Sequence, residues 1–277
     1  MIKPRSILIT GCSSGIGLCV AQGLHDRGHQ VIASARKMED VKKLRALGLT
    51  SLQLDLDDSI SIRNAVVQTL EMTEGKLDAL FNNGAYGQPG AVEDLSRDVL
   101  RAQFETNLFG WQELTNRVIP IMRQQGHGRI IQNSSVLGLV SMAYRGAYNA
   151  SKYALEGISD TMRLELAGTN IHISLIEPGP ILSRFRANAY QTFIKTIDWE
   201  NSPHREKYLA MEKRLQKEGP AMPFTLPPEA VLKRVIHALE SRRPQIRYYV
   251  TFPTYLFATL RRILPWRTLD RIIKLVG

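Results

Sequence analysis

The chain has 277 residues, 44% of them apolar and 22% charged, with 20 Gly, 13 Pro and 2 Cys. That is long enough for one large domain with a sizeable core, and too apolar throughout for a disordered or low-complexity chain. The formal charge of +10 invites a nucleic-acid or membrane partner, yet residues 1–200 hold 21 basic against 20 acidic side chains, whereas residues 201–277 hold 15 against 6.

Met1–Ser6 is basic, but the apolar run Ile7–Thr10 is far too short for a signal peptide. Cys12 and Cys19 read as reduced thiols of a cytoplasmic protein. From there short apolar runs alternate with helix-period segments. Strands are expected at Ser6–Thr10, Gln30–Ala35, Leu52–Asp55, Leu77–Asn82, Arg129–Ser134 and Ile171–Glu177. Helices are expected at Gly15–Gly28, Met38–Gly48, Asp58–Glu74, Arg97–Gln125 and Tyr148–Leu166. This alternation predicts an α/β fold: a single domain with a doubly wound, Rossmann-type parallel sheet over residues 6–183. Residues 184–226 break the rhythm and read as an insertion over the open end of the sheet. Residues 227–277 form a basic, aromatic C-terminal segment.

Thr10–Gly17 reads Thr-Gly-Cys-Ser-Ser-Gly-Ile-Gly, directly after the first strand and opening the first helix. Gly11, Gly15 and Gly17 permit a tight turn and close backbone approach, and the helix N-terminus offers free N–H groups to a pyrophosphate. The spacing is G-x3-G-x-G rather than G-x-G-x-x-G, so a bland glycine-rich turn stays open. The second strand ends Ser34-Ala35-Arg36-Lys37, with no carboxylate before Glu39. A guanidinium there favours a ribose 2′-phosphate and hence NADP(H), the alternative being that Arg36 and Lys37 are solvated loop charges. Tyr148 and Lys152 lie one turn apart on one helix face. An ammonium at that distance is expected to pull the tyrosine down from its ordinary pKa of about 10. The six histidines show no metal spacing, and no nucleophile elbow marks a hydrolase.

Taken in order, Thr10–Gly17, Asn82-Asn83-Gly84, Asn107, Ser134-Ser135, Tyr148-x3-Lys152 and Pro178-Gly179 resemble the short-chain dehydrogenase/reductase family over residues 6 to about 185. Within it the chain is similar to the bacterial YbbO-type NADP-dependent aldehyde reductases and to the retinol/17β-hydroxysteroid dehydrogenase branch. The resemblance implies that Tyr148 exchanges the proton with the substrate oxygen and Ser135 holds that oxygen. It implies that Lys152 bonds the nicotinamide ribose and that Asn107 holds a relay water. Gly11, Ser13, Ser14, Gly15, Ile16 and Gly17 would cradle the pyrophosphate side, Arg36 and Lys37 the 2′-phosphate, and Asp55 the adenine. Pro178 and Ser183 would border the carboxamide. Asn82 would line the adenosine ribose or brace the sheet. Ser134 competes with Ser135, and Asp55 with a plain strand-end turn. Asn82-Asn83-Gly84-Ala85 departs from the family's Asn-Asn-Ala-Gly, and strain is expected if Ala85 needs a positive φ.

In this family residues 184–226 form a substrate lid. Its aromatics and methionines, among them Phe185, Tyr190, Phe193, Trp199, Met211 and Met222, suit a hydrophobic carbonyl or alcohol, the alternative being that most of them only pack the lid onto the core. The apolar stretch within Arg247–Leu260 contains Pro253 and falls short of the ~18 residues of a bilayer span. Its neighbouring arginines leave the readings for 247–277 open between peripheral contact with an anionic membrane and a packed C-terminal helix or oligomer surface. The helices around Trp111 and Tyr148 resemble family association surfaces and imply a homodimer or homotetramer. The expected activity is NADP(H)-dependent aldehyde or ketone reduction. The alternatives are a retinol- or hydroxysteroid-type dehydrogenase and a non-catalytic dinucleotide sensor. Nucleic acid is not expected, because no recognition motif accompanies the charge, and no metal site is expected.

Overall fold

Short Val/Ile/Leu runs that are buried on both faces pair side by side in a parallel sheet covered by helices. The computed structural model describes residues 3–220 and 222–276, and its sheet has seven strands. They are β1 (Ser6–Ile9), β2 (Gln30–Ala35), β3 (Ser51–Gln53), β4 (Ala79–Asn82), β5 (Gly128–Asn133), β6 (Ile171–Glu177) and β7 (Arg247–Tyr249). All pair in parallel in the order β3-β2-β1-β4-β5-β6-β7. The order reverses between β1 and β4, which opens a crevice at the C-terminal ends of the strands. Met1, Ile2 and Gly277, which belong to the basic N-terminal stretch and the tail discussed above, lie outside the described residues, as does Ala221 of the insertion.

The helices are α1 (Gly15–Asp26), α2 (Met38–Ala46), α3 (Ser59–Met72), α4 (Arg97–Phe104), α5 (Gly110–Gln125), α6 (Gly146–Glu165), α7 (Phe185–Thr196), α8 (Arg205–Gln216), α9 (Glu229–Glu240), α10 (Phe252–Ile263) and α11 (Trp266–Val276). Side chains alternate across each strand, so β1 sends Ile7 and Ile9 to one face and Leu8 to the other. Val20 and Leu24 of α1 and Val231 and Val235 of α9 cover the first face. Leu114 and Val118 of α5 and Leu155 and Met162 of α6 cover the second. The insertion has its own small core, in which Phe193, Tyr208, Met211 and Leu215 pack on Ala91.

Three differences from the sequence reading have physical causes. The expected helix Arg97–Gln125 is divided by a π-helical turn at Glu105–Phe109, which holds Asn107 fully buried at the break. β3 stops before Asp55, whose Oδ1 accepts the Asp57 N–H at 3.2 Å and turns the chain. Arg247–Tyr249, read as part of a tail, instead forms a seventh strand beside β6. Of the readings left open for the tail, α11 has that of a packed helix, with Leu269, Ile272 and Ile273 on Val136, Leu137 and Met142. Among the described residues, no helix is long and apolar enough to cross a membrane.

Candidate active site

The turn after β1 is shaped by contacts that exclude side chains. Gly11 has φ +70°, and a Cβ there would stand 2.5 Å from the Gly84 Cα. A Cβ on Gly17 would stand 2.2 Å from the Gly11 carbonyl oxygen. Ser14 precedes α1 in an extended conformation without capping it, and no acidic residue occupies the first turn. The positive end of α1 therefore faces the crevice uncompensated. Thr10 Oγ1 accepts the N–H groups of Asn83 and Gly84, both at 2.8 Å. The Asn83 amide returns bonds to the carbonyls of Thr10 at 3.0 Å and Gly11 at 3.2 Å. Asn83 thus braces the glycine turn, a role the sequence reading did not assign to it. Asn82 is fully buried and bonds Thr115 and Gln132 at 3.0 and 2.9 Å. Of its two expected roles, these bonds give it the sheet-bracing one, and it lines neither the cleft described below nor the hollow beside Arg36. Ala85 is not among the residues with positive φ, so the Gly84–Ala85 exchange carries no such strain.

A second line of contacts joins this turn to α6. Asn133 donates to the Asn83 side-chain oxygen at 2.8 Å, and its own carbonyl accepts from Lys152 Nζ at 2.7 Å. Lys152 is buried, with its ammonium 4.4 Å from the Trp111 ring centroid and 5.6 Å from that of Tyr148. Trp111 is itself buried, its indole N–H donating to the Gly84 carbonyl at 2.7 Å, so this side chain belongs to no association surface.

Ser135, Tyr148 and Lys152 line one cleft of about 510 Å³, together with Gly11, Ser13, Ser14, Gly15, Ile16, Pro178 and Ser183. Ser134 bonds Glu156, whereas Ser135 Oγ accepts the Leu137 N–H at 3.1 Å and lines the cleft with Tyr148. Burial pushes the Tyr148 phenol up to about 12, opposed by the Ser135 hydrogen bond. Burial also pushes the Lys152 ammonium down to about 7, opposed by Glu156. The phenol is thus shifted upward by its burial, against the lowering expected from Lys152. Asn107 does not line the cleft. Its amide donates to the Tyr86 carbonyl at 2.9 Å, and its oxygen accepts the Tyr86 N–H at 3.2 Å. Its side chain fixes the Tyr86 loop and contacts Ser151 Oγ at 3.4 Å, beside Lys152.

Arg36 and Lys37 are exposed on the rim of a shallow hollow shared with Gln53 and Asp55. Gln53 holds the Arg36 carbonyl at 2.9 Å, and no carboxylate is paired with Arg36 among the described residues. Asp55 makes the strand-end turn and also borders this hollow. Opposite them residues 184–226 supply Phe185, whose ring meets Tyr148 edge-on at 5.3 Å, with Met211, Leu215 and Met222 further along the cleft. Tyr144, also on the wall, has φ +60°, a strained value for a non-glycine residue.

Behind Ser134 lies a buried acid–base cluster with no local signal in the sequence. Arg247 of β7 pairs with Glu156 of α6, with Glu177 at 2.5 Å and with Asp160 at 2.6 Å. Burial and mutual repulsion raise the Glu177 pKa, and burial raises that of Glu156, both opposed by the guanidinium. Among the described residues, no group of His, Cys, Asp and Glu could hold a metal ion.

The family model for short chain dehydrogenase matches residues 5–193. A protein named uncharacterized oxidoreductase YbbO, from Escherichia coli strain K12, is 42% identical over 99% of this chain and 95% of its own length. Human retinol dehydrogenase 8 is 34% identical over 88% of this chain and 80% of its own. A short chain dehydrogenase/reductase from Burkholderia phymatum, solved in complex with NAD, superposes with a TM-score of 0.78 at 24% identity, over 99% of this chain and 96% of that one. With this sheet order, this cleft and these matches, the chain belongs to the short-chain dehydrogenase family of oxidoreductases.

Proposed function

We propose that the protein is an NADP(H)-dependent reductase of hydrophobic aldehydes or ketones, with alcohol oxidation as its reverse. One observation carries the reading. The glycine turn with the uncapped end of α1 and the Ser135–Tyr148–Lys152 group face each other across a single cleft, with unpaired Arg36 beyond its polar end. The residues fit a dinucleotide, since free N–H groups and a helix dipole favour a pyrophosphate and a guanidinium with no ion-paired carboxylate among the described residues, in a hollow shared with Glu39 and Asp55, favours a 2′-phosphate. When bound, the reduced nicotinamide supplies hydride to the carbonyl carbon. The chain's own part is to orient the carbonyl oxygen at Ser135 and deliver the proton from Tyr148, yielding the alcohol. A phenol held at about 12 is protonated at neutral pH, as a proton donor in reduction must be.

Lys152 closes the arrangement by linking Tyr148 to the Asn133 carbonyl and, through it, to the glycine turn. Asn107 holds the neighbouring π-helical turn in place. Residues 184–226 serve as the substrate lid of a single domain spanning 1–277. Their Phe and Met side chains favour an apolar substrate. A retinol- or hydroxysteroid-type alcohol is the second reading, supported by the likeness to human retinol dehydrogenase 8. A cytoplasmic homodimer or homotetramer fits the free thiols of Cys12 and Cys19 and the family's habits. The test is an NADPH-consumption screen over aliphatic aldehydes, retinal and keto-steroids, run beside NADH. No consumption with any carbonyl, or an equal rate with NADH, would overturn it.

A further inference from the structure

Helix α10 has two unlike apolar faces. Thr254, Phe257 and Ala258 are buried, and Phe257 packs on Val136, Leu137 and Met142 beside Ser135. The opposite stripe of Phe252, Leu256, Thr259 and Ile263 follows the 4-3-4 spacing of a single helical face. Phe252 is 56% exposed and Ile263 is 67% exposed, and Trp266 at the next helix start is 68% exposed. Such a row is unusual on a helix whose other side is packed. The row continues onto the lid. Phe224 stacks on Phe252 with ring centroids 4.9 Å apart, while Met222 and Thr225 on either side of it line the cleft. The stripe therefore adjoins the rim of the substrate opening.

The charge around it has one sign. From Arg242 to Lys274 there are eight basic residues and a single acidic one, Asp270. Among the described residues, Arg247 is the only one of the eight with an ion pair. Arg262 is exposed on the flank of the stripe, and Arg234 reaches the Tyr255 hydroxyl at 3.2 Å on the same side. We propose that this stripe docks the protein on an anionic lipid surface, with α10 lying in the plane of the headgroups. Apolar side chains enter the interface there while arginines at their edge meet lipid phosphates. A second copy of the chain on a twofold axis would bring the same arginines together without partners. Neutral lipid would leave them without counter-charge. Docking in this pose turns the substrate opening toward the bilayer. Its value for an apolar substrate rests on the reductase reading, but the docking itself does not.

The experiment is flotation of the full chain with phosphatidylcholine vesicles, with and without about 30% phosphatidylglycerol. The triple variant Phe252→Ser, Leu256→Ser, Ile263→Ser is run in parallel. None of these side chains lines the cleft. The wild type should float with the anionic vesicles only and be released by raised salt, and the variant should bind about tenfold more weakly or worse. Circular dichroism and NADPH oxidation with a small soluble aldehyde should be unchanged in the variant. If no aldehyde is reduced by either protein, the flotation and dichroism still decide the docking. No flotation with anionic vesicles overturns the proposal. So does flotation that the variant retains, or a wild-type dimer that becomes monomeric in the variant, which would assign the stripe to a second copy.

Discussion

The glycine-turn half of the cleft and the C-terminal third of the chain are built by opposite means. In the first half each contact is made by backbone groups or by residues close to a strand end. Gly11 meets Gly84, Thr10 holds Asn83, and Asn133 passes the connection to Lys152. The charges there are few and nearly balanced. In the C-terminal third a single cation, Arg247, reaches three carboxylates of two other elements, and none of the other cations from Arg242 to Lys274 has an ion pair among the described residues. The lesson lies in two neighbouring cations. Lys152 is buried against a carbonyl and aromatic faces and is pushed down to about 7. Arg247 is surrounded by carboxylates and is pushed up. A cation beside reacting groups is left poorly compensated, whereas one that joins strands is fully matched.

The contrast is tested first where the expected effect is largest. Tyr148→Phe should reduce turnover by about 10²–10⁴-fold while NADPH still binds, as read by fluorescence titration. Retained NADPH oxidation would remove Tyr148 from the chemistry. Arg247→Met should lower the unfolding free energy by about 3–5 kcal/mol at about pH 8, measured by denaturant titration. The sign with pH follows from the raised carboxylates. Glu177 and Glu156 bind protons more readily folded than unfolded, so protonation stabilises the native state as pH falls. The loss in Arg247→Met should therefore shrink toward about pH 5, and a loss independent of pH would mean that the carboxylates stay charged.

Gly17→Ala tests the crowded turn on the other side of the contrast. Its Cβ would meet backbone 2.2 Å away, which cannot yield as a flexible side chain would. A destabilisation of about 1–3 kcal/mol is expected, together with weaker NADPH binding. A variant as stable as the wild type would show that the turn is slacker than its geometry. The smallest effect should come from the exposed rim. Arg36→Asp should shift preference from NADPH toward NADH by about tenfold or more, the worth of a charge-assisted contact. An unchanged ratio of kcat/KM for the two dinucleotides would reject the 2′-phosphate role of Arg36.

The fold and much of the candidate site were legible in the chain because their signals are local. A strand of β1's kind and the Thr10–Gly17 turn are contiguous, and Tyr148 and Lys152 are one helical turn apart. Of the two adjacent serines, Ser134 is turned to Glu156 and Ser135 lines the cleft with Tyr148. What escaped was set by distant partners. Asn82 and Asn83 are adjacent and identical in type, yet only the folded chain shows that one braces the sheet and the other the glycine turn. The π-helical turn at Asn107 leaves no mark in helical periodicity.

The same division settles what became of the excess charge. Composition places it in the last 77 residues, and periodicity shows that apolar side chains are interleaved with it. Which of those apolar faces is buried depends on what stands opposite once the sheet has closed. β7 takes Arg247 into the interior, α11 turns its apolar side onto Val136 and Leu137, and α10 is left with Phe252, Leu256 and Ile263 facing out. Alternation and helical spacing are properties of neighbours along the chain, so they can be read in order. Burial is a property of neighbours in space, and here those neighbours are far apart along the chain, 91 residues for Glu156 and Arg247.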